Sequence, residues 1–394
     1  MIANLDINVV TKEISDTIIR GADAAIKKFK PSTKKQRKPW WNDDCRVAYR
    51  MQRRAWNTFK RYPTSQNFIL YKRSKAFFRK TQRRSQKDSW IKYVNSINSN
   101  LTSKILWDRV KRVSGVYPKR QIPILEYNNR IFSSPKDIAN TLASSLSFIS
   151  SSENSSKSFK KIKIEAEKKH IDFTTNINFP YNSDFTYFEL KKALSLVHKS
   201  TPGPDNISYI IIKNLSEKSL KNLLIFYNRI FKEHTFPQAW QHAVVIPILK
   251  PGKDPKSPLS YRPIALTNCL CKVLEKMVNA RLMYVLEKDN AFHPFQSGFR
   301  RNRSSVDNLL ALETEIRNAF VQNKHLVSIF FDIEKAYDRT WRHGILVDIF
   351  DRSLRGDLPI FIQNFLSKRY FNVKIGSTLS DLFIQEEGVP QSTI

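Results

Sequence analysis

The residues LVSIFFDIEKAYDRTW, at positions 326–341, place an aspartate directly after an apolar run. The run 326–331 is short, is rich in β-branched and aromatic residues and follows a polar stretch, so it predicts a buried strand. Asp332 then lies at the end of that strand. A carboxylate at the edge of a core stays ionised only if positive charge or hydrogen bonds replace its lost hydration. The pattern therefore predicts a compensating group beside Asp332; the alternative is an ordinary turn or cap residue.

Composition limits the class of protein. The chain has 394 residues and 41% hydrophobic content, enough for a sizeable core in two or three domains. A formal charge of +32 favours a polyanionic partner, nucleic acid before an anionic membrane surface. Cys45, Cys269 and Cys271 fit neither a disulfide framework nor a zinc spacing, which predicts reduced thiols in an intracellular protein. No apolar stretch is long enough for a membrane span or resembles a signal peptide, so we expect no membrane partner.

The positive charge is concentrated near the N-terminus. Residues 34–120 hold 25 Lys+Arg against 4 Asp+Glu, and the pattern predicts two helices broken at Pro63. We expect a basic helical region that binds nucleic acid. Its aromatic residues are predicted to form the region's own core, with stacking on unpaired bases as the alternative.

Two further boundaries surround this region. Residues 1–33 are predicted to be an N-terminal segment with a short helix at 18–29, and PSTKKQRK at 31–38 resembles a nuclear-import patch. Residues 121–185 are predicted to connect the basic region to the next domain, with a Ser/Lys-rich linker at 145–170.

The pattern from residue 186 onward is that of a packed domain. Periodicity and turn residues predict helices at 186–200 and 215–232, a strand at 243–249, a basic turn and second extended segment, a long helix from about Cys269, a basic loop and another helix before the Asp332 strand. This order is typical of an α+β fold.

Five segments in this half carry a resemblance to a known family. They are KSTPGPDNIS, WQHAVVIPILKPGKDPKSPLSYRPIALTNCLCKVLEKMVNARL, HPFQSGFRRNRSSVDNL, FFDIEKAYDRTW and EEGVPQ. In this order and at these separations they resemble the reverse transcriptase domain of non-LTR retrotransposons, especially the jockey-like elements of insects. The resemblance covers about residues 196–394, and PWWNDDC at 39–45 resembles the segment that joins the endonuclease to the polymerase. It implies a partial right-hand polymerase, fingers and an incomplete palm, over 186–394.

The resemblance implies roles for residues around the opening stretch. Asp332 would be the catalytic carboxylate that binds two Mg²⁺ ions, which activate the primer 3′ hydroxyl and hold the nucleotide's triphosphate. Tyr337 would exclude a 2′-hydroxyl beneath the incoming sugar, and a core tyrosine is the alternative. Asp338 and Glu334 are expected to be structural, with Asp338 as a helix cap.

The nucleotide and template contacts follow from the same resemblance. Lys250 and Arg262, with Lys253 as an alternative to Lys250, would grip the triphosphate, and Gln391 would lie near the incoming nucleotide. Arg300, Arg301 and Arg303, beside Gly298, would bind the template backbone. The alternative for each basic residue is a solvated surface charge.

The chain also departs from the family's pattern. Ser392 follows Gln391 where the family usually has glycine, and the Tyr-X-Asp-Asp strand, the thumb and the upstream endonuclease are missing from the 394 residues. We therefore expect a truncated RNA-directed DNA polymerase that is inactive as written, although its family copies element RNA into DNA from a primer with deoxynucleoside triphosphates. A working element would act in the nucleus. The alternatives are a non-catalytic nucleic-acid-binding relic and a protein retained only for interactions.

Overall fold

The structure is a computed structural model that describes residues 5–26, 40–96, 107, 110, 122, 124–198 and 200–390. The chain divides into two compact units, one formed by Met1–Ile26 with Gln121–Ile394 and the other by Lys27–Arg120. Each unit is described by itself below.

The α-helices and strands of the described residues are as follows. The helices are α1 Ile7–Ala25, α2 Asp43–Arg61, α3 Ser65–Asn95, α4 Pro135–Ile149, α5 Lys157–Glu167, α6 Tyr187–Ser195, α7 Tyr209–Lys213, α8 Glu217–Lys232, α9 Cys269–Lys288, α10 Ser305–Val321, α11 Ala336–Arg339, α12 Arg342–Asp351 and α13 Asp357–Leu366. The strands are β1 Leu125–Tyr127, β2 Arg130–Phe132, β3 His242–Leu249, β4 Tyr261–Leu266, β5 Arg369–Ile375, β6 Thr378–Leu379 and β7 Phe383–Gln385.

The Lys27–Arg120 unit contains a helical hairpin of α2 and α3. The Asn42 side chain accepts a hydrogen bond from the Cys45 N–H and so caps α2, and the break at Pro63 separates the two helices. Aromatic rings pack against one another between the helices, with 4.9 Å between the ring centroids of Trp56 and Tyr71. These rings line the contact between the helices, but Tyr49, Trp56 and Phe77 are exposed and Tyr93 is buried, so the prediction that the aromatic residues form the region's own core holds only in part.

The sheet of the larger unit has the strand order β4-β3-β5-β6, and β7 pairs with residues 369–371 at the start of β5. β3 is antiparallel to β4 and parallel to β5. Pro247 lies opposite Pro263. Proline has no N–H group, and both prolines lie at a pair of positions that exchange no backbone hydrogen bonds between the strands. Helix α4 covers one face, where Leu142 packs with Val245 and Phe371.

A second and larger core joins helices α6, α8, α9 and α13, with Trp240 and Phe226 fully buried. Helix α1 belongs to this core, because Ile7 and Val10 are buried in it and Asn8 accepts a hydrogen bond from the Gln238 N–H at 2.9 Å. The N-terminal helix is thus earlier and longer than the sequence pattern predicts. Its start is set by Asp6, whose side chain accepts from the first free N–H groups of the helix.

Two expectations about chain segments are wrong in this structure. The segment 326–331 is neither helix nor strand, and it is exposed: Phe331 is 90% accessible and Val327 82%. A strand takes its hydrogen bonds from a neighbour, and no strand in the described ranges pairs with this segment. Asp332 therefore does not end a buried strand here.

The Ser/Lys-rich stretch 145–170 is not a linker. It contains the end of α4, a 3-10 turn at Ser152–Asn154 and all of α5. Lys163 is buried and its Nζ lies 2.5 Å from a carboxylate oxygen of Glu387. The segment is ordered because its polar groups pair with a distant part of the chain, which a local composition signal does not reveal.

Neither unit contains, among the residues described, a helix with the length and apolar content that a bilayer crossing requires. The three cysteines are buried free thiols.

Candidate active site

The turn between β3 and β4 places two predicted nucleotide-binding residues on one face. The Lys250 N–H donates to the Ser260 carbonyl at 2.9 Å, and Ile248 pairs with Arg262. Cross-strand partners share a face, as do residues two apart on one strand. Strands β3 and β4 with the turn between them form a two-stranded β-ribbon. Lys250 and Arg262 therefore lie on the same face of this β-ribbon, with Arg262 exposed and Lys250 half-buried.

The segments AYDRTW and EEGVP are in direct contact. The Gly388 N–H donates to the Thr340 carbonyl at 2.8 Å and the Val389 N–H to the Tyr337 carbonyl at 2.7 Å. Gly388 has φ +80°, and a Cβ there would lie 2.5 Å from the carbonyl oxygens of both Tyr337 and Asp338. Only glycine fits this approach. The Tyr337 side chain remains 39% accessible beside it.

Asp338 lies between this contact and the β-ribbon, because it lines a cleft with residues of β3 and β4 and interacts electrostatically with Lys250. Burial raises the pKa of its carboxyl, and the positive charges of Lys335 and Lys250 act against that rise. The expectation that Asp338 caps a helix is wrong, because it lies inside α11 and neither α11 nor α12 has a side-chain cap. It lines a small cleft with Val389 and Pro390 instead. Glu334 is exposed and lies 3.6 Å from the Lys335 ammonium.

Charged residues behind the EEGVP segment hold it in place. Glu387 accepts from Lys163 and from the Arg342 N–H at 3.0 Å, while the Arg342 Nε donates to the Gly388 carbonyl at 2.8 Å. Burial, with the nearby Arg369, lowers the pKa of Arg342 to about 10. Lys163, Glu387 and Arg342 were not predicted from the sequence. The adjacent glutamates in an otherwise basic chain were the available signal.

Asp332 is separated from any such network. Its side chain makes no hydrogen bond or ion pair with the residues that the structure describes. Within the same residues there is no group of three or more His, Cys, Asp or Glu side chains that could hold a metal ion. Mg²⁺ prefers six oxygen ligands, and a two-metal centre needs several carboxylates. The described residues therefore do not by themselves fit a two-metal site.

The three predicted template arginines differ in their surroundings. Arg300 pairs with neighbouring parts of the chain: its guanidinium donates to the Glu287 carboxylate of α9 at 2.6 and 2.9 Å and to the carbonyls of His293 and Gln296. This contact lowers the pKa of Glu287. Arg301 and Arg303 are exposed. Gln391 lies outside the described residues.

The PGPDN turn packs against the start of α9. A Cβ on Gly203 would lie 2.6 Å from the backbone N of Asn268, so the turn approaches the helix too closely for any larger residue. Asp205 is partly buried beside it, and burial raises the pKa of its carboxyl to about 6. The role visible for this turn is to set the position of the long helix.

Known proteins are similar to this half of the chain. Residues 248–392 match the family described as reverse transcriptase (RNA-dependent DNA polymerase). The chain is 30% identical over 200 residues to the probable RNA-directed DNA polymerase from transposon BS of Drosophila melanogaster, a match that covers 51% of this chain and 22% of that protein. It is also 30% identical to the RNA-directed DNA polymerases from mobile element jockey of Drosophila melanogaster, over 58% of this chain and 25% of that protein, and of Drosophila funebris, over 60% and 26%.

The chain thus spans about a quarter of the length of these relatives. The matched residues include the turn between β3 and β4 with Lys250 and Arg262, the arginine loop and the contact between Tyr337 and Val389. Together with the mixed helices and sheet, these similarities support a reverse transcriptase domain in residues 248–392 that resembles those of jockey-like non-LTR retrotransposons.

Proposed function

We propose that the larger unit is the fingers and part of the palm of an RNA-directed DNA polymerase, which extends a DNA primer along an RNA template with deoxynucleoside triphosphates. Reverse transcriptases bind RNA template and nucleotides in general. The observation that carries the proposal is the contact of Gly388 and Val389 with the backbone of residues 337–340, with the charge of Lys250 acting on Asp338. It supports a single nucleotide site built from segments far apart in sequence.

In this proposal Lys250 and Arg262 bind the triphosphate from one face of the β-ribbon. The planar guanidinium pairs with two phosphate oxygens, and the lysine supplies a mobile charge that can follow the leaving pyrophosphate. Tyr337 lies beneath the sugar and Gln391 beside the nucleotide. The backbone hydrogen bond from Val389 to the Tyr337 carbonyl supports this role, because it limits the movement of the tyrosine.

Asp332 has a conditional role in the proposal. Reverse transcriptases generally use divalent metal ions, and Asp332 would supply one carboxylate to a Mg²⁺ site that needs further acidic residues. The exposed apolar segment 326–331 would become a strand when another strand pairs with it, and the Tyr-X-Asp-Asp strand implied by the resemblance is the expected partner. We propose that residues 1–394 alone do not polymerise, because the described residues hold too few metal ligands.

The test is primer extension on an RNA template in the presence of Mg²⁺. The chain itself is expected to be inactive, and a fusion that continues it with the downstream palm segment of a jockey polymerase is expected to extend the primer. Asp332→Asn in the fusion should abolish extension, whereas Asp351→Asn, an exposed aspartate on α12, should not. Full extension by the Asp332→Asn fusion would contradict the proposal.

A second candidate function is nucleic-acid binding without catalysis. It is favoured by the α2–α3 hairpin, whose many basic side chains are exposed together with aromatic rings such as Trp56 and Phe77. Under this proposal the chain binds RNA or DNA through phosphate contacts, in the nucleus if the element is active, and the fusion shows salt-dependent binding with no extension.

A further inference from the structure

A groove on the larger unit lies apart from the residues assigned above to the nucleotide. It is formed by α6, α9 and the 3-10 turn Pro180–Asn182, and its volume is about 730 Å³. Ligand pockets in proteins are commonly of this order, a few hundred to about 1,000 Å³. Of the predicted template-binding residues, Arg301 lines it.

The groove has an excess of positive charge. Its basic side chains with no ion pair among the residues that the structure describes are Lys192, Lys276, Lys288, Arg301 and Arg352. Arg281 is different, because its guanidinium pairs with Glu189 at 2.7 Å and stacks on Phe185. Asp289 is the remaining acid of the lining. Several cations without counter-ions favour a ligand that carries a series of negative charges.

Aromatic rings lie among these cations. The side chains of Phe188 and Tyr284 are 74% and 68% accessible. Phe179 and Tyr181 stack on each other at the edge of the groove, with ring centroids 5.1 Å apart. Exposed rings of this kind bury apolar surface when a planar group stacks on them, and every nucleic-acid base has such a face.

The helices arrange these groups in two rows. Phe188 and Lys192 are four residues apart on α6, which places them on one face of that helix. On α9, Tyr284 and Lys288 are four residues apart and share a face, and Lys276 lines the same groove about two turns earlier. At a rise of 1.5 Å per residue, the row on α9 extends over roughly 18 Å. Each helix therefore contributes at least one cation and one aromatic ring to the groove.

We propose that this groove binds an unpaired nucleic-acid strand, with Phe188 and Tyr284 stacking on bases and Lys192, Lys276, Lys288 and Arg301 contacting phosphates. A duplex does not fit, because its bases are stacked on each other and cannot reach the rings. An acidic peptide would satisfy the charges but would leave the rings without partners. The inference rests on the proposed function and deepens it, since it assigns residues that bind single-stranded template or displaced strand.

The first experiment locates the contact by photocrosslinking. The full chain is irradiated with a 12-nucleotide RNA that contains 4-thiouridine, with the equivalent 4-thiothymidine DNA, and with each strand in duplex form, and the crosslinked residues are identified by mass spectrometry. We expect both single strands, or RNA alone, to crosslink at Phe188 or Tyr284, and the duplexes not to do so. Crosslinks confined to the α2–α3 hairpin would overturn the inference.

The second experiment measures single-strand affinity. Removal of one base-stacking ring costs about 1–3 kcal/mol, so Phe188→Ala with Tyr284→Ala is expected to weaken binding at least tenfold. The control is Phe148→Ala, which removes an exposed ring outside the groove. Unfolding temperatures confirm that each variant is folded. Equal affinity for the double variant and the control would overturn the inference.

The third experiment tests the phosphate contacts through salt dependence. For single strands the slope of log K against log salt decreases in magnitude by about 0.7 for each phosphate that is no longer neutralised, so Lys192→Ala, Lys276→Ala and Lys288→Ala together should lower it by about 2. The matched control replaces the exposed lysines Lys12, Lys218 and Lys374. An unchanged slope would overturn the inference that the groove binds phosphates. It would not count against the proposed function, which is tested by primer extension with the fusion. Groove crosslinks without extension by the fusion would overturn the proposed function instead.

Discussion

At the scale of single residues, two glycines show how closely the segments of the candidate site approach each other. Gly388 and Gly252 both have positive φ, +80° and +72°, but a Cβ at Gly252 would meet nothing within 4 Å, while one at Gly388 would meet two carbonyl oxygens at 2.5 Å. A substitution at Gly252 therefore measures backbone strain alone, whereas one at Gly388 measures strain together with steric overlap. The same close contact fixes the Tyr337 backbone next to the nucleotide site that we propose.

Gly388→Ala should lower stability far more than Gly252→Ala. A left-handed alanine costs about 1 kcal/mol or more at either position, and overpacking should add about 1–3 kcal/mol at Gly388 alone. Thermal and urea unfolding of the two variants measure the difference. Equal decreases would show that the 337–340 backbone moves away without cost, contrary to the packing described here.

Asp205 should make stability depend on pH in a particular direction. Its pKa is about 6 in the folded chain and about 4 when unfolded, so the folded chain binds the proton more tightly. The stabilisation is complete below pH 4 and is lost as pH rises through 6. We expect unfolding free energy to fall by on the order of 2–3 kcal/mol across this window because of Asp205.

The measurement is urea unfolding of the wild-type chain and of Asp205→Asn between pH 4 and 7. The asparagine keeps an oxygen that can accept from the Ile207 N–H, as the aspartate does. The variant should lose this part of the pH dependence and should be more stable than wild type at pH 7. Parallel curves for the two proteins would contradict the assignment.

At the scale of elements, α5 shows how a polar helix can be fixed by charge. Most of its residues are exposed, and Lys163 reaches from its buried face to Glu387 and Ser152. Lys163 and Glu387 side chains are 10% and 15% accessible. An ion pair buried to this degree contributes to stability mainly because each charge would be costly to bury without the other.

Lys163→Met should therefore destabilise the chain by about 3 kcal/mol or more, since it leaves Glu387 buried without its partner. Adding Glu387→Gln should recover part of that decrease, and a double-mutant cycle measures the coupling. Lys161→Met, at an exposed position of the same helix, is the control and should change stability little. A coupling near zero would mean that α5 is held by other contacts.

At the scale of the whole molecule, the chain distributes its charge unevenly between two units. The region 34–120 carries a net +21 of the formal +32. Within the hairpin, the described ion pairs of α2 and α3 are Arg46 with Asp43 and Arg84 with Asp88, which are local and exposed. Most of the positive charge therefore remains available to a polyanion, and binding should depend steeply on salt.

Arg50, Arg53 and Arg54 are exposed on α2, and their joint replacement by alanine should test this dependence. The slope of log K against log salt should decrease in magnitude by about 2 for single strands and nearly 3 for duplex DNA. Replacement of Arg20, Arg130 and Arg317, exposed in the larger unit, is the matched control. Equal slopes in all three proteins would show that the hairpin does not contact phosphates.

The sequence by itself determined features that depend on neighbouring residues and on motif identity. The α+β class, the hairpin with its break at Pro63, the long helix from Cys269 and the β-ribbon with Lys250 and Arg262 follow from periodicity, turn residues and family motifs. Capping and proline act over a few residues, so they can be recognised locally.

Tertiary structure alone decided which of these elements are buried, paired or brought together. It placed α1 in the core beyond an intervening basic region, ordered the stretch 145–170 through Lys163, and left residues 326–333 exposed. It also formed the groove between α6 and α9. Burial and strand pairing are set by partners far away in the sequence, and an apolar run specifies the need for a partner but not its presence.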